Sequence, residues 1–331
     1  MKPKISVCIP VYNGESTIGE TIKSVLGQTF ADFEMVIVDD CSKDQSSKVI
    51  KAIKDRRIRY CLNEKNLGCG GSLSECTRRA FSDLLFYVCQ DDLLDKDALE
   101  KVYRAFCLDQ AIGVVVRPYY WFQESYHQPV RLTRQFEKEE IVSLNSSFGK
   151  IANVIALSDQ ISGVGLRKEY LKSFFSNAPF IEMASVVCDV LKRHKAYILK
   201  DNIVAVRIGN NGATNPRVYL DSPVMVWYGL IQKTYSGIAF ESLRKYLVGH
   251  LIANNYVGLV QIKNYGTLKQ LLREIFYLLK LRPQNLFSFN FWFFSLGTMV
   301  IPGFLLKRMV NYYKNRINVN NINEKIAIKL N

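Results

Sequence analysis

The sequence has little histidine and no closely spaced cysteine pair. It contains three His and eight Cys in 331 residues, and no two Cys form a C-x-x-C motif. Clustered Cys and His are the usual ligands of structural zinc, so we expect no zinc site. Several of the Cys lie within apolar runs, where a free thiol packs as a small hydrophobic group.

The pattern of a secretory leader is also missing. The first apolar run, Ile5–Val11, is short, contains Pro10, and leads into Asn13-Gly14-Glu15 rather than a small-residue cleavage site. We therefore expect a reducing, cytoplasmic environment for the chain.

Glycine is present, but not in a dinucleotide-binding or P-loop pattern. Gly68, Gly70 and Gly71 do not form G-x-G-x-x-G, and no Walker lysine follows them. This absence argues against a nicotinamide site and against a P-loop. We interpret Asn66–Gly71 as a flexible glycine-rich loop, followed by a helix over Leu73–Leu84.

Acidic residues are outnumbered by basic ones. The chain has 44 Lys and Arg against 30 Asp and Glu, so its formal net charge is +14. Such an excess is typical of chains that bind nucleic acid, an anionic membrane surface or a phosphorylated ligand. The length suggests about two domains, and an apolar fraction of 48% is enough for a real core.

The first hundred residues alternate between strand and helix patterns. Apolar runs predict strands at 4–11, 33–38, 58–62 and 84–89, and helical spacing predicts helices at 18–26 and 46–53. Strands that alternate with helices favour a mostly parallel, doubly wound α/β sheet.

Two of these strands end in a pair of acids, Asp39-Asp40 and Asp91-Asp92. The carboxyl ends of parallel strands share one edge of the sheet, where ligands bind in open α/β folds. The alternative is two ordinary acidic turns, since Asp is favoured in turns. That alternative requires an acidic turn without function to follow two separate strands by chance.

The signal weakens after residue 105. We predict a strand over Ile161–Arg167, a helix over Glu169–Phe175, a helix over Phe180–Arg193 and one or two strands over Tyr197–Ile208. We place a domain boundary near Asn215. The domains would then be 1–215, with halves of about 1–105 and 106–215, and a helical region over 216–331.

Four segments together resemble the inverting family-two glycosyltransferases, which have the GT-A fold. They are SVCIPVYNG (6–14), SVLGQTFADFEMVIVDDCSKD (24–44), NEKNLG (63–68) and QDDLLDKDALEK (90–101). The resemblance is strong up to about Ala105 and loose over about Ile161–Thr214. It implies a GT-A fold and an enzyme that uses a nucleotide-sugar donor.

The resemblance also implies roles for single residues. Asp40, with Asp39 beside it, would meet the nucleotide base, and Asp91 would face the donor sugar or ribose. Asp92 would be the last acid of the D-x-D element, which holds Mg²⁺ or Mn²⁺ on the donor diphosphate. The other residues of the implied donor-binding set are Pro10, Val11, Tyr12, Asn66 and Gly68.

One position departs from the family pattern. Many members have an acid where this chain has Gln90, which leaves fewer anionic ligands for the ion. Mg²⁺ and Mn²⁺ nevertheless bind through one or two carboxylates together with phosphate oxygens and water. Arg207, at the end of a predicted strand, could meet the donor phosphates or be a surface cation.

Inversion requires a carboxylate base that takes the proton of the acceptor hydroxyl. In the family this acid begins a helix roughly ninety residues beyond the D-x-D element, and Glu182 lies at that distance from Asp92. Asp189 is the alternative, two helical turns further on. A third reading of Glu182 is an ordinary solvated carboxylate, because Glu is mostly exposed in proteins.

The positive charge is concentrated near the C-terminus. Gln261–Arg316 holds nine Lys and Arg against one acid, Glu274, while Pro283–Leu306 carries no charge and many aromatic residues. This combination favours a segment that lies in the interface of an anionic membrane. The alternatives are a spanning helix and a helical subdomain that packs on the catalytic domain. Nucleic acid is not expected as a partner, and we interpret the Asn-rich tail, 318–331, as loosely ordered.

These observations lead to one expected function and two alternatives. We expect a glycosyltransferase at the inner face of the cell membrane, which transfers one sugar to a glycan or lipid-linked acceptor. A non-catalytic membrane-associated scaffold of the same fold is the first alternative. A sugar-nucleotide-synthesising transferase is the second, but its glycine- and arginine-rich N-terminal signature is missing. The sequence leaves the donor sugar and the oligomeric state open.

Overall fold

The computed structural model describes residues 2–173, 175–209, 215–306, 308–309, 312 and 327–331. The chain divides into two compact units. The first consists of Met1–Asn177, Glu182–Ile208 and Ile322–Asn331, and the second of Ala178–Ile181 and Gly209–Asn321.

An eight-stranded sheet forms the centre of the first unit. In spatial order its strands are β3 (Ile58–Leu62), β2 (Phe33–Asp39), β1 (Ile5–Val11), β4 (Leu84–Tyr87), β10 (Gly165–Arg167), β6 (Ile112–Val116), β11 (Lys195–Ile198) and β9 (Glu140–Val142). The four strands from β3 to β4 are parallel, whereas β10 and β9 run antiparallel to their neighbours. The predicted α/β fold with a mostly parallel sheet is confirmed.

Within the described residues of the first unit, six helices accompany this sheet. They are α1 (Ile18–Leu26), α2 (Ser46–Ala52), α3 (Gly68–Arg79), α4 (Ala98–Leu108), α5 (Phe148–Leu157) and α6 (Glu182–Leu191). β1 and β2 are almost entirely buried, as expected for strands covered on both faces. α1 buries Ile18, Ile22 and Val25, which are spaced so that they lie on one face.

A second, four-stranded sheet lies in the order β5 (Leu93–Leu94), β12 (Val204–Arg207), β7 (Tyr120–Phe122) and β8 (Pro129–Leu132). The last residues of the chain pack against it. Ile328 is buried among Tyr120, Phe122 and Ala205, and its backbone N–H donates to the hydroxyl of Tyr120. The expectation of a loosely ordered tail is therefore wrong for residues 327–331, because burial of Ile328 anchors them; residues 318–326 lie outside the described part.

Two local predictions are also wrong. The segment from Gly68 to Gly71 is the first turn of α3 rather than a flexible loop. The predicted helix over Glu169–Phe175 is only a 3-10 turn, Lys168–Tyr170. The ring of Tyr170 stacks on His194 at a centroid distance of 3.6 Å, and this tertiary contact fixes the turn against the local helical pattern.

The second unit is helical. Its helices are α7 (Pro223–Thr234), α8 (Glu241–Leu247), α9 (Val257–Tyr265), α10 (Leu268–Leu281) and α11 (Phe289–Val300). Thr267 and Gln270 form a reciprocal capping box at the start of α10, which satisfies two backbone donors of its first turn. The core of the unit includes Tyr256, Leu271, Leu278 and Phe291. Among the described residues, no helix is both long and apolar enough to cross a membrane.

Candidate active site

Three parallel strands bring the acid pairs and Tyr12 to one edge of the sheet. β1 pairs in parallel with β2 on one side and with β4 on the other, so the three carboxyl ends lie next to one another. β2 ends at Asp39, β1 ends at Val11, and the chain reaches Asp91 shortly after β4.

Asp40 is buried and organises the loop that follows β3. Its carboxylate accepts hydrogen bonds from the side chain of Asn63 at 2.8 Å and from the backbone N–H groups of Leu67 and Gly68 at 2.9 Å. The last two donors are at the start of α3, where helical N–H groups have no partner within the helix. Asp40 therefore acts as an acceptor cap for α3, which explains why the helix begins at the glycines.

Both carboxylate oxygens of Asp39 also accept hydrogen bonds from protein groups. One of its oxygens accepts from the N–H of Ser42 at 2.9 Å, and the other accepts from the hydroxyl of Tyr60 at 2.8 Å. Both acids of this pair are nearly inaccessible to solvent. Their positions at the end of β2 agree with the predicted edge, and their direct contact with a nucleotide base stays a prediction.

The other predicted donor-binding residues surround this pair. Asn66 donates from its side chain to the carbonyl of Asp40 at 3.3 Å, and Gly68 has a φ of +76°, a conformation that favours glycine. Val11 is buried and Pro10 half-buried, whereas Tyr12 is 46% exposed. Of the segment 10–12, Tyr12 thus presents the most surface to a ligand.

The two acids of the second pair, Asp91 and Asp92, differ in exposure and in hydrogen-bond partners. Asp92 is 1% exposed, and its two oxygens accept from the hydroxyl of Ser162 at 2.5 Å and from the N–H of Arg207 at 2.9 Å. Burial, and then the charge of Asp91, raise the pKa of Asp92 well above its ordinary value. Both oxygens of Asp92 therefore already accept hydrogen bonds from protein groups. The role of Asp92 as a metal ligand stays a prediction.

Asp91 is the more accessible acid of the two. In the described part of the chain, the one donor assigned to its carboxylate is its own backbone N–H. Desolvation raises the pKa of Asp91, and the positive charge of Arg207 opposes that rise. A carboxylate with few protein donors, next to a second negative charge, is suited to a cation.

Arg207 is fixed beside the pair by three hydrogen bonds. Its backbone N–H donates to Asp92, its Nε donates to the carbonyl of Asp91 at 3.1 Å, and its terminal nitrogen donates to Glu20 at 2.5 Å. The guanidinium also lies over the ring of Phe122, 4.7 Å from its centroid. This arrangement holds a planar cation at the edge where the sequence predicted phosphate binding.

The sequence analysis missed Arg117 and Ser162. Arg117 is completely buried and donates to the carbonyls of Leu157, Gln160 and Ser162. These bonds fix the segment that delivers the Ser162 hydroxyl to Asp92. Gly163 follows with a φ of +86°, and a Cβ there would lie 2.5 Å from Arg117 Nε. A glycine directly after a serine was the available signal in the sequence.

The two candidate bases lie at different ends of α6. Glu182 is its first residue. Asp189 is about 10 Å further along the helix and forms an ion pair with Arg193 at 2.7 Å. The role of either acid as the base stays a prediction.

The described residues contain no cluster of three or more His, Cys, Asp and Glu that could hold a metal by itself. Mg²⁺ and Mn²⁺ sites on nucleotides do not require one, because the diphosphate and water supply most of the ligands. The adjacent carboxylates of Asp91, which is half-buried, and Asp92, which is buried, fit that kind of site. The raised pKa of both acids agrees with a place for an added cation.

Residues 6–162 match the model of the family described as Glycosyl transferase family 2. Curated relatives are similar to shorter stretches of the chain. The putative teichuronic acid biosynthesis glycosyltransferase TuaG of Bacillus subtilis is 36% identical over 102 residues, which cover 30% of this chain and 40% of TuaG. WfgD of Escherichia coli, named as a UDP-Glc:alpha-D-GlcNAc-diphosphoundecaprenol beta-1,3-glucosyltransferase, is 32% identical over 96 residues, 29% of this chain and 38% of WfgD.

Two solved structures share the fold over most of the chain. Staphylococcus aureus TarS 1–349 in complex with UDP-GlcNAc has a TM-score of 0.63 at 17% identity, with coverage of 100% of this chain and 97% of that one. The mannosyltransferase PcManGT of Pyrobaculum calidifontis, in complex with GDP-Man and Mn²⁺, has a TM-score of 0.55 at 14% identity, with coverage of 91% and 87%. Alignments with the curated relatives span less than half of those proteins. The resemblance seen in the sequence is confirmed: residues 6–162 carry a family-two glycosyltransferase domain.

Proposed function

We propose that the chain is an inverting glycosyltransferase that transfers one sugar from a nucleoside-diphosphate sugar to a lipid-linked glycan acceptor. The observation that carries the proposal is the sheet edge, where Asp91 is accessible while Asp39, Asp40 and Asp92 are held by protein donors. An accessible acid on a rigid acidic edge, beside the guanidinium of Arg207, suits a divalent ion on a diphosphate.

Each part of the edge has a task in this proposal. The ring of Tyr12 and the loop fixed by Asp40 would receive the base and ribose. Asp91 and Asp92 would hold Mg²⁺ or Mn²⁺, which when bound neutralises charge on the departing diphosphate. Arg207 would exchange its bond to Glu20 for a phosphate oxygen, since a guanidinium binds phosphate with two parallel N–H groups.

Glu182 would complete the reaction as general base. Its carboxylate accepts the proton of the acceptor hydroxyl while the oxygen attacks the anomeric carbon from the face opposite the diphosphate. The new glycosidic bond forms as the bond to the diphosphate breaks, so the configuration inverts. Asp189, paired with Arg193, is the alternative base and serves below as the matched control.

A donor panel tests the proposal. UDP-, GDP- and dTDP-sugars are added with Mn²⁺, and the shift in melting temperature identifies the nucleotide, because a ligand of the native state raises apparent stability. Release of the nucleoside diphosphate with a sugar acceptor then measures turnover. We expect one nucleotide class to stabilise the protein and to be consumed. Stabilisation without turnover on any acceptor would favour the scaffold, and neither response would contradict the proposed function.

The membrane part of the proposal depends on α11, which is apolar on its exposed side as well as on its buried side. Its exposed stripe is Phe289, Phe293, Leu296 and Val300, and Phe289 and Phe293 are 80% and 64% exposed. Its buried face combines Phe291 with Ser295 and Thr298. In a helix that faces water the apolar side is normally inward, so this stripe suits an apolar environment outside the protein.

The charge of the surrounding segment supports an anionic bilayer surface as the occupant. Gln261–Arg316 carries nine basic residues and one acid, and each Lys or Arg near such a surface contributes about 1 kcal/mol. α10 adds Leu268, Leu272 and Phe276 as a second exposed apolar row. We propose attachment in the plane of the inner membrane face. The name of WfgD, which specifies a diphosphoundecaprenol acceptor, supports a lipid-linked acceptor.

Vesicle sedimentation tests this attachment. The intact chain should sediment with vesicles that contain phosphatidylglycerol, and much less with pure phosphatidylcholine or at 1 M salt, where the Debye length is about 3 Å. The double variant Phe289→Ser/Phe293→Ser should remain in the supernatant. The matched control, Phe81→Ser/Leu108→Ser, removes two exposed apolar side chains of the first unit and should sediment like wild type. Equal sedimentation of both variants would contradict attachment through α11.

A further inference from the structure

Gln90 is held at its backbone and at its side chain. Its side-chain oxygen accepts from the backbone N–H of Tyr12 at 2.7 Å, and its side-chain nitrogen donates to the carbonyl of Tyr12 at 3.1 Å. Its own carbonyl accepts from the hydroxyl of Thr21 at 2.9 Å. The amide thus continues the pairing of β1 with the segment after β4, beyond the point where the strands themselves end.

Gly14 makes room for this amide. A Cβ at Gly14 would lie 2.6 Å from the side-chain oxygen of Gln90 and 2.7 Å from its carbonyl carbon. Real Cβ contacts are not that short, so a larger residue at position 14 would displace either the amide or the turn. Gly14 itself donates its N–H to the hydroxyl of Ser46 at 2.8 Å, which fixes the turn from its other side.

The chemistry of the contact selects an amide. It needs one acceptor for the N–H of Tyr12 and one donor for the carbonyl of Tyr12, and a glutamine side chain provides both. An ionised glutamate would keep the first bond but place a negative oxygen against that carbonyl. A methionine would provide neither bond and leave two peptide groups of Tyr12 without these partners.

We propose that Gln90 is a positioning residue for donor binding, and that it fixes the Tyr12 peptide instead of contributing to an ion site. The inference rests on the proposed function, in which Tyr12 borders the base and ribose. It gives a physical reason for the departure from the family pattern at this position: an ionised acid here would keep only one of the two bonds that hold the Tyr12 peptide.

Gln90→Glu is the direct test, with the best-binding of UDP, GDP and dTDP as probe. We expect the dissociation constant of the nucleotide and the KM of its sugar donor to rise about tenfold, with kcat little changed, because the lost contact acts in ground and transition states alike. The Mn²⁺ concentration at half-maximal activity should stay at the wild-type value. Wild-type KM, or a lower Mn²⁺ requirement, would overturn the inference.

A double-mutant cycle guards against a simple folding defect. Gly14→Ala should weaken nucleotide binding in the wild-type background, where the new methyl group meets Gln90. In the Gln90→Ala background the methyl group has room, so the same substitution should cost much less. Equal costs in both backgrounds would overturn the inference. A wild-type protein that binds no nucleotide would instead contradict the proposed function, and the two failures are therefore distinguishable.

Discussion

The pairs Asp39-Asp40 and Asp91-Asp92 are alike in sequence and differ in what their carboxylates do. In the first pair both side chains accept hydrogen bonds from protein groups, five in all. In the second pair Asp92 accepts two, while Asp91 has its own backbone N–H. The comparison shows that acids brought to the same edge by strand ends can differ in their hydrogen-bond partners, and we expect this difference to separate their roles.

The two pairs also differ in their electrostatic environment. The hydrogen bonds to Asp39 and Asp40 come from backbone N–H groups and polar side chains, which hold both side chains in place. At the second pair, desolvation and mutual repulsion raise the pKa values. In the proposed function the first pair belongs to the architecture of the donor loops, and the second pair would hold the ion on the diphosphate. The predictions below test this division, starting with the largest effect.

Asp91→Asn should reduce turnover by about 10³-fold, because charge stabilisation by a bound ion is worth several kcal/mol. Its melting temperature should not fall, since the substitution removes a desolvated charge with few partners. Asp92→Asn should lower the melting temperature as well as turnover, because the buried contacts to Ser162 and Arg207 are disturbed. Parallel thermal denaturation and initial-rate measurements distinguish the variants. A stable, inactive Asp92→Asn beside an active Asp91→Asn would reverse the assignment.

Glu182→Gln extends the comparison to a third carboxylate. The amide keeps the shape but cannot accept the proton, so kcat should fall by about 10²-fold or more with nucleotide affinity retained. Asp189→Asn, on the same helix and paired with Arg193, is the matched control and should remain within a few-fold of wild type. Steady-state kinetics on both variants distinguish the two candidate bases. An inactive Asp189→Asn beside an active Glu182→Gln would identify Asp189 as the base.

Asp40→Asn should act mainly on stability and affinity. The substitution replaces an anionic acceptor of three hydrogen bonds by a neutral amide, and the free energy of unfolding should fall by about 2–4 kcal/mol. Nucleotide KM should rise with kcat little changed, because the loop over Asn63–Gly68 is loosened in every state. Urea denaturation and donor titration measure the two effects. A large loss of kcat at unchanged KM would place Asp40 in the chemistry rather than in the architecture.

Acidification should weaken Mn²⁺-dependent nucleotide binding. In the proposed site the ion would bind the ionised carboxylates of Asp91 and Asp92, so this binding should be complete above their folded pKa values and should fall as the pH drops through them. Because those values are raised, the loss should begin at a higher pH than for an ordinary aspartate. Titration calorimetry across the acidic range measures this. Affinity that stays constant down to the ordinary pKa of aspartate would contradict the raised values.

Local patterns were enough to predict the sheet but not the partners of its acids. A short window of sequence is enough to recognise the continuous apolar runs of β1 and β2. The same is true of the amphipathic spacing of α1. The partners of Asp40 lie 23 to 28 residues further on, and Ser162 lies 70 residues from Asp92. No local period encodes such pairs, so the difference between the two acid pairs could not be read from the chain.

The glycine segment illustrates the same limit. Gly68–Gly71 has low helix propensity, and a loop was the natural expectation. Asp40 supplies the acceptor that the first N–H groups of α3 need, and Gly70 allows close approach, since a Cβ there would meet the carbonyl of Ser176 at 2.2 Å. Tertiary contacts therefore override propensity at the start of α3. The site residues found by resemblance share one region of the fold, while their individual roles stay predictions.

The most direct test of the account is nucleotide binding with and without Mn²⁺, measured by calorimetry on wild type, Asp91→Asn and Asp40→Asn. The account predicts that Mn²⁺ strengthens binding to wild type, that Asp91→Asn removes this gain, and that Asp40→Asn binds more weakly under both conditions while keeping the same relative gain. If Asp91→Asn kept the wild-type response to Mn²⁺ and Asp40→Asn lost it, the division of tasks between the two acid pairs would be wrong.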